Sequence, residues 1–396
     1  MRKFYPTRIK ERIRECTFFT VFGFVVLVLA GAVRETKADF VEQPICTHSA
    51  DQLEPRISAE STDANEIIVV WTDCRDGDYP TSRIYMWDSN GIKPVSKNAS
   101  KYRQRYPDIS KSYVVWEDSG AIFFKNLKDP NSEQLISAGT SPAISGNTVV
   151  WREKRVIVNP VDGIFMWDPV NGKRVVYTNP DPNTNLSSLD ISGNKVVWQE
   201  DVNGNSDIYM WDPVNGRRII CNHPAYQMHP AISKDIVVWE DGRGEHRNLD
   251  IYMWDPINGE KAVCTNRAHQ RNPAVFVDII VKIVWEDYRN DIGHIPEMPG
   301  NPDIYMWDPV NGERAVCTNP VRPPYFLPPQ SCPDISGNYI VWQDSRKNLW
   351  DEDIYMAKIP EKTIKADFDN DGIVNFNDFA KFAEQWLATE QWFTDE

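Results

Sequence analysis

Near its C-terminal end the chain reads ADFDNDGIVNFNDF from Ala366 to Phe379. Counted from Asp367, oxygen-bearing side chains fall at loop positions 1, 3, 5, 9 and 12, as Asp367, Asp369, Asp371, Asn375 and Asp378. Gly372 stands at position 6, where such a loop must turn sharply, and the Ile373 carbonyl falls at position 7. That order of donors makes an oxygen cage for a hard cation, and Ca²⁺ is the ion expected in it. A solvated acidic turn would not account for the spacing.

Histidine is the other residue type here that could do chemistry. An imidazole can ligate a metal or move a proton near neutral pH. The chain has six: His48, His223, His229, His246, His269 and His294. None lies in an H-E-x-x-H or other fixed ligand spacing, and no G-x-S-x-G is present. The candidate cluster is His223, His229, His269 and His294, with Glu245, Glu297 and Gln270 near in sequence. Against it stands the plain reading that exposed loops carry polar residues.

These residues must be positioned by something, and the chain repeats itself to build it. DIYMWDP recurs at Asp207, Asp250 and Asp303. Before each copy stands a VVW-type strand, and before that a P-x-I-S-type strand. Tryptophans closing the second strand are Trp71, Trp116, Trp151, Trp198, Trp239, Trp285 and Trp342, spaced 45, 35, 47, 41, 46 and 57 residues apart. That is the period of a four-strand propeller blade. Fourth strands follow a D-P-x-N-G turn, whose Asn-Gly suits a tight hairpin. Six appear after third strands, and the seventh, QPICTHS at Gln43, precedes the first blade. An all-β, seven-bladed β-propeller over residues 43–360, closed by its N-terminal strand, is therefore expected.

Within this frame Asp73, Asp118, Asp201, Asp241, Asp287 and Asp344 follow the blade tryptophans, with Arg75, Arg243, Arg289 and Arg346 two residues after four of them. Recurrence in most blades argues for structure rather than catalysis. Trp87, Trp167, Trp211, Trp254 and Trp307 read as packing residues of the third strands. Cys46, Cys221, Cys264 and Cys317 share one position in four blades and read as small hydrophobes. Cys74 and Cys332, in loops of the blades that closure makes neighbours, are expected to form a disulfide. The loops that differ between blades, Asp73 to Arg83, Asp241 to Asp250, Asp287 to Asp303 and Asn319 to Pro333, emerge on one face, where binding is expected.

Residues 1–38 stand apart, with a basic start and an apolar run from Thr17 to Val33. They read as a secretory signal peptide, with an uncleaved anchor as the rival. Either reading puts the rest of the chain outside the cytoplasm, secreted or at the cell surface. The leader holds a surplus of five positive charges, so a formal −14 for the chain leaves −19 beyond it. That excludes nucleic acid as an expected partner, because phosphate binding needs basic side chains.

The strand, W-x-D and DIYxxD phrases resemble the TolB-type, WD40-like β-propeller across about 320 residues and all seven copies. The resemblance implies the fold, and such propellers serve as scaffolds, sugar binders, peptidase gates and a few lyases. The segment D-x-D-x-D-G-x-V-N-x-x-D-F, in residues 365–390, resembles a type I dockerin repeat, including Asp at position 12. It implies Ca²⁺ binding and a cohesin-like or other surface protein as partner, although dockerins normally carry two such repeats. The leading expectation is an exported binding or scaffold propeller, more a binder than an enzyme, with a carbohydrate or a protein on its variable face. The alternative is a polysaccharide-degrading enzyme like the oligogalacturonate lyases, which hold a divalent metal with histidines inside a similar ring.

Overall fold

The three repeated phrases become the three inner strands of each blade, and the phrase after the D-P-x-N-G turn becomes the outer one. The computed structural model describes residues 40–59, 66–76, 81–97, 103–154, 162–179, 181, 184–244, 248–290, 301–318, 329–348, 351–360 and 380–381. Phe40–Ile359 form one compact unit of seven four-stranded antiparallel sheets. The chain begins it with β1 (Val41–Cys46). Blade one is β2 (Gln52–Ser58), β3 (Ile68–Asp73), β4 (Arg83–Asp88) and β5 (Gly91–Pro94). Blade two is β6 (Gln104–Ser110), β7 (Tyr113–Asp118), β8 (Ala121–Asn126) and β9 (Gln134–Ala138). Blade three is β10 (Thr140–Ser145), β11 (Thr148–Lys154), β12 (Asp162–Asp168) and β13 (Gly172–Asn179). Blade four is β14 (Thr184–Ser192), β15 (Lys195–Val202), β16 (Asn205–Asp212) and β17 (Gly216–Cys221). Blade five is β18 (Gln227–Ser233), β19 (Ile236–Asp241), β20 (Asp250–Asp255) and β21 (Gly259–Cys264). Blade six is β22 (Gln270–Val277), β23 (Val281–Asp287), β24 (Asp303–Asp308) and β25 (Gly312–Cys317). Blade seven is β26 (Gln330–Ser336), β27 (Tyr339–Asn348) and β28 (Asp351–Lys358), with β1 as its fourth strand. The closure expected from QPICTHS is thus formed, with Val41 opposite Lys358 and Cys46 opposite Ile354.

Burial follows the sequence pattern closely. All seven blade tryptophans are 0% exposed, each inside a V-V-W or I-V-W strand that is apolar on both faces. Both faces are covered because one meets the preceding blade and the other meets the next, as Val69 and Trp71 lie against Val341 and Met356 of blade seven. Val70, Ile84 and Met86 of blade one, for instance, pack on Ile109, Val114 and Trp116 of blade two. The third-strand tryptophans Trp87, Trp167, Trp211, Trp254 and Trp307 pack at the margins of these clusters, as expected.

Neighbouring innermost strands are joined by side chains, and the serine of P-x-I-S supplies the joint. Ser58, Ser110, Ser145, Ser192, Ser233 and Ser336 Oγ accept the backbone N–H of Lys111, Gly146, Gly193, Lys234, Val277 and Ala59, each in the next blade. Phe276 replaces the serine in blade six. Where the second letter of the phrase is Asp, a further bond is added. Asp108, Asp190 and Asp334 Oδ2 accept from Ile144, Ile232 and Ile57 N at 2.7–2.8 Å. These bonds cross blade boundaries, so they fix the angle between blades as well as closing the ring.

Candidate functional site

The repeated W-x-D-x-R residues form a structural clamp. Asp241 is 0% exposed and accepts the Trp239 indole N–H (2.8 Å), the Arg243 backbone N–H (3.0 Å) and Arg243 Nε (2.8 Å) and Nη2 (2.7 Å). Arg243 lies over the Tyr252 ring and touches Cys221 Sγ at 2.9 Å. Asp73–Arg75, Asp287–Arg289 and Asp344–Arg346 repeat the arrangement on Tyr85, Tyr305 and Tyr355, against Cys46, Cys264 and Cys317. The four cysteines are buried, as small hydrophobes should be, and burial pushes the Cys221 thiol up to about 12. The structural reading of these residues holds, although Asp118 and Asp201 do not bond the blade tryptophan. In blade four Glu200 takes the tryptophan N–H, and Asp201 instead accepts from Gly204.

The clamp's cation comes from two places. Blades three and four lack the loop arginine, and Lys173 or Arg217 reaches in from the fourth strand. Arg217 pairs with Glu200 at 2.8 Å and stacks on Tyr209 at 3.9 Å; Lys173 pairs with Glu153 over Phe165. Blades five, six and seven carry glutamate at that strand position. Glu260 and Glu313 bond Arg243 and Arg289, and Glu42 of β1 meets Arg346 at 2.6 Å. Charge on strand four and charge in the loop are exchanged as a pair.

What varies from blade to blade lies at the inner end of this framework. Each innermost strand bulges at the residue just before its P-x-I-S-type phrase. Those residues are Glu54, Tyr106, Ser141, Ser188, His229, Asn272 and Cys332, all left-handed with φ between 47° and 57°. Such φ values are uncommon outside glycine and cluster where a function over-determines the backbone. The conformation is held from the neighbouring blade, through the residue after the blade tryptophan. Glu54 N donates to Gln343 Oε1 (2.7 Å), Asn272 N to Glu240 Oε1 (2.7 Å), Cys332 N to Glu286 Oε1 (2.8 Å) and His229 N to Gln199 Oε1 (3.4 Å). Thr72 is too short for this role in blade one, so Glu54 itself turns to accept Tyr106 N at 2.7 Å.

The mouth so formed is polar and partly acidic. His229 Nδ1 sits 2.8 Å from Glu240 Oε1, with Glu240 buried and the imidazole half-exposed. Hydrogen bonding to Glu240 raises the His229 pKa above its ordinary value. Glu286 accepts Asn272 Nδ2 (2.7 Å) and the Tyr288 hydroxyl (3.3 Å), and burial raises its pKa. Arg105 stacks on Tyr106 and pairs with Glu117 at 2.9 Å. Deeper in the channel Arg56 is flanked by Asp334 and Asp108. Burial lifts Asp108 to about 7 and Asp190 to about 6, against the opposing pull of Arg56. Tyr106 and Tyr226 leave aromatic surface open, at 39% and 56% exposure. This constellation can present carboxylate, amide and hydroxyl groups beside aromatic faces.

The histidine candidates divide. His229 is at the mouth. His223 Nδ1 caps its own loop by accepting Ala225 N at 3.2 Å, as His48 does for Ala50 and the Asn266 side chain for Ala268. His269 Nδ1 accepts Leu249 N at 3.1 Å and its ring lies edge-on to Tyr288. His246 and His294 lie outside the described residues. Among the described residues no group of three His, Cys, Asp or Glu is arranged to hold a metal ion. The calcium-loop residues Asp367, Asp369, Asp371, Ile373, Asn375 and Asp378 lie outside the described residues too. The expected disulfide is corrected: Cys74 and Cys332 are free thiols. Closure does bring blades one and seven together, but Cys332 sits on the innermost strand whereas Cys74 continues the second strand, a layer further out.

No protein-family model and no curated protein sequence matches the chain. Solved structures do. The β-propeller domain of the Trilobed protease from Pyrococcus furiosus, described as having an open velcro topology, superposes with a TM-score of 0.55 at 11% identity, over 80% of this chain and 97% of that one. A prolyl endopeptidase gives 0.53 at 10% identity, over 76% of this chain and 45% of its own. A putative TolB from Agrobacterium tumefaciens gives 0.42 at 12%, over 69% and 95%. The chain thus spans about half the length of the prolyl endopeptidase. At such identities the likeness is one of fold, and the fold is the seven-bladed β-propeller.

Proposed function

We propose that the chain is an exported recognition propeller that binds a neutral saccharide at the variable-face mouth of its channel and is tethered through a Ca²⁺-dependent, dockerin-like tail. The observation that carries this reading is the ring of seven left-handed residues. The scaffold around it is nearly uniform, yet the ring itself holds Glu, Tyr, Ser, Ser, His, Asn and Cys. Diversity confined to one concave rim is how a rigid scaffold carries a binding site. Sugar hydroxyls suit the acceptors Glu54 and Glu286, and sugar faces suit Tyr106 and Tyr226. The acidic chain, at −14, disfavours polyanions.

The test is calorimetric titration of the full chain with neutral and uronic oligosaccharides, beside Tyr106→Ala and Asn272→Ala. The expected result is binding of a neutral glycan, weakened about tenfold by each variant. Elimination of a polyuronide, abolished in His229→Ala, would overturn it in favour of the lyase alternative, and protein-only binding would replace the ligand class. Titration with Ca²⁺ reads the tail separately. One ion per chain is expected, lost in Asp367→Ala/Asp371→Ala together with capture by a cohesin-like partner.

A further inference from the structure

The face opposite the variable loops carries a feature that neither the scaffold nor the binding site uses. In blades three to six the turn between third and fourth strands is D-P-[VI]-N-G, and its tip residues Val170, Val214, Ile257 and Val310 are 86%, 87%, 90% and 57% exposed. The preceding prolines, Pro169, Pro213, Pro256 and Pro309, are exposed as well. Ile279, in the first turn of blade six, stands on the same face at 94% exposure. Single exposed aliphatics are ordinary, but one at the same point of four successive blades makes an arc of apolar studs.

Nothing in the turn requires them. The turn is held by its aspartate: Asp212 Oδ1 accepts Val214 N and Asn215 N, and Asp168, Asp255 and Asp308 do the same. Blade one makes its turn with Ser89-Asn90, and blade two with the longer stretch from Leu127 to Glu133, whose exposed tip Asp129-Pro130-Asn131 holds no aliphatic side chain. Turn tips ordinarily favour polar residues and glycine. At three of the four studs the turn aspartate is already paired, Asp168 with Arg174, Asp212 with Arg218 and Asp308 with Arg314.

Val41 pairs with Lys358 at the end of β28 that also meets Tyr339 and the Gly337–Asn338 turn. The polypeptide therefore enters the propeller on the stud face, in blade seven, directly after the blades that carry the studs. Seven residues, 34–40, separate it from the apolar run Thr17–Val33. Fully extended they reach roughly 25 Å. An apolar run held in a bilayer would keep this face within that reach of the lipid surface.

We propose that the stud face seats on the bilayer that receives the N-terminal run, with the Pro-Val and Pro-Ile tips of blades three to six in its interfacial layer and the variable face turned outward. Exposed aliphatic tips, three of them beside a turn aspartate already paired with arginine, are what an interfacial contact needs. This rests on the uncleaved-anchor reading of residues 1–38 for the presence of a membrane; saccharide binding is measured apart from it, so either can fail alone.

The experiment is hydrogen exchange on the full chain in nanodiscs of 3:1 phosphatidylcholine to phosphatidylglycerol, for the native protein and the V170D/V214D/I257D/V310D variant. Exchange in the four stud turns is expected to be slower by about tenfold in the native protein than in the variant. The matching turns of blades one and two, and the core strands β3 and β19, should exchange alike in both and so report an intact fold. Equal exchange in the stud turns of both proteins overturns the proposal. So does slowing that grows with the number of chains per nanodisc, which marks a second copy as the occupant.

Discussion

Replacing Asp241 by alanine should cost far more than the same change at Asp118, although both follow W-E in sequence. At Asp241 the change removes the acceptor of the Trp239 indole N–H at 2.8 Å and three bonds to Arg243. A buried donor left without a partner costs about 1–3 kcal/mol. Breaking a buried ion pair costs about 3–5 kcal/mol, and here the lower end applies because Arg243 keeps Glu260. A loss of about 4 kcal/mol follows. Asp118 has a lighter role: Trp116 Nε1 has no hydrogen-bond partner among the described residues, and Asp118 accepts from Gln104 Nε2 (3.1 Å) and Ser119 (2.9 Å). Its loss should cost about 1 kcal/mol. For the unit Phe40–Ile359 an unfolding entropy of about 2 cal/mol/K per residue converts these to about 6 °C and about 1–2 °C in melting temperature. Differential scanning calorimetry of the two variants at neutral pH reads both. Equal losses would refute the argument that the aspartate acts through its tryptophan and arginine.

Other outcomes follow from the same wiring. Arg217→Glu should destabilise by about 2–3 kcal/mol in urea titration, because it sets a like charge against buried Glu200, whereas Arg217→Ala should cost about 1 kcal/mol; equal losses would remove the ion pair from the account. Asp108 and Asp190 are raised to about 7 and about 6, so their share of stability is present below their unfolded value near 3.8 and is lost as pH rises through 6 to 7. The raised pKa of His229 acts in the same direction, its share being lost as pH rises through its folded value. The melting temperature should therefore fall between pH 5 and 8, and Asp108→Asn should flatten that fall; a native profile that rises with pH would contradict it. Deleting Val41–Cys46 removes Ile45 and Cys46 from the core shared with blade one and opens blade seven, and should lower the melting temperature by about 10 °C or more; an unchanged melt would mean that closure contributes nothing.

Much of this architecture was legible because seven copies were available to compare. The tryptophan period gave the blades, and QPICTHS gave the closing strand before any coordinate was needed. The W-x-D-x-R clamp was readable as structure from its recurrence, but its strand-four partners were not. Lys173, Arg217, Glu260, Glu313 and Glu42 differ in charge, and only the contacts reveal that they serve one place. The left-handed ring escaped for a related reason. Its residues share no chemistry, and six of its seven members stand directly before proline, where extended backbone is the usual expectation. The signal was the Q-x-x-P phrase of five blades, which encloses a different residue in each. His223 was overvalued because its match to His48 and Asn266, two places after a cysteine, identifies a loop cap. Asp201 was misplaced by one residue because blade four reads W-Q-E-D where blades two, five and six read W-E-D.

The pairing of Val41–Cys46 with Asp351–Lys358 joins nearly the first and the last residues of the propeller. Six blades can assemble as the ribosome delivers them, but the strand that completes the seventh is made before any of them. It must stay unpaired while some three hundred residues follow, with Ile45 and the edge of the last sheet both uncovered until they meet. Closure is then the step with the longest loop to draw shut, and its rate is set by chain entropy rather than by the strength of the strand pair. A propeller built this way has a built-in check on completeness. A chain truncated anywhere before β28 leaves its opening strand without a partner and exposes it to proteolysis.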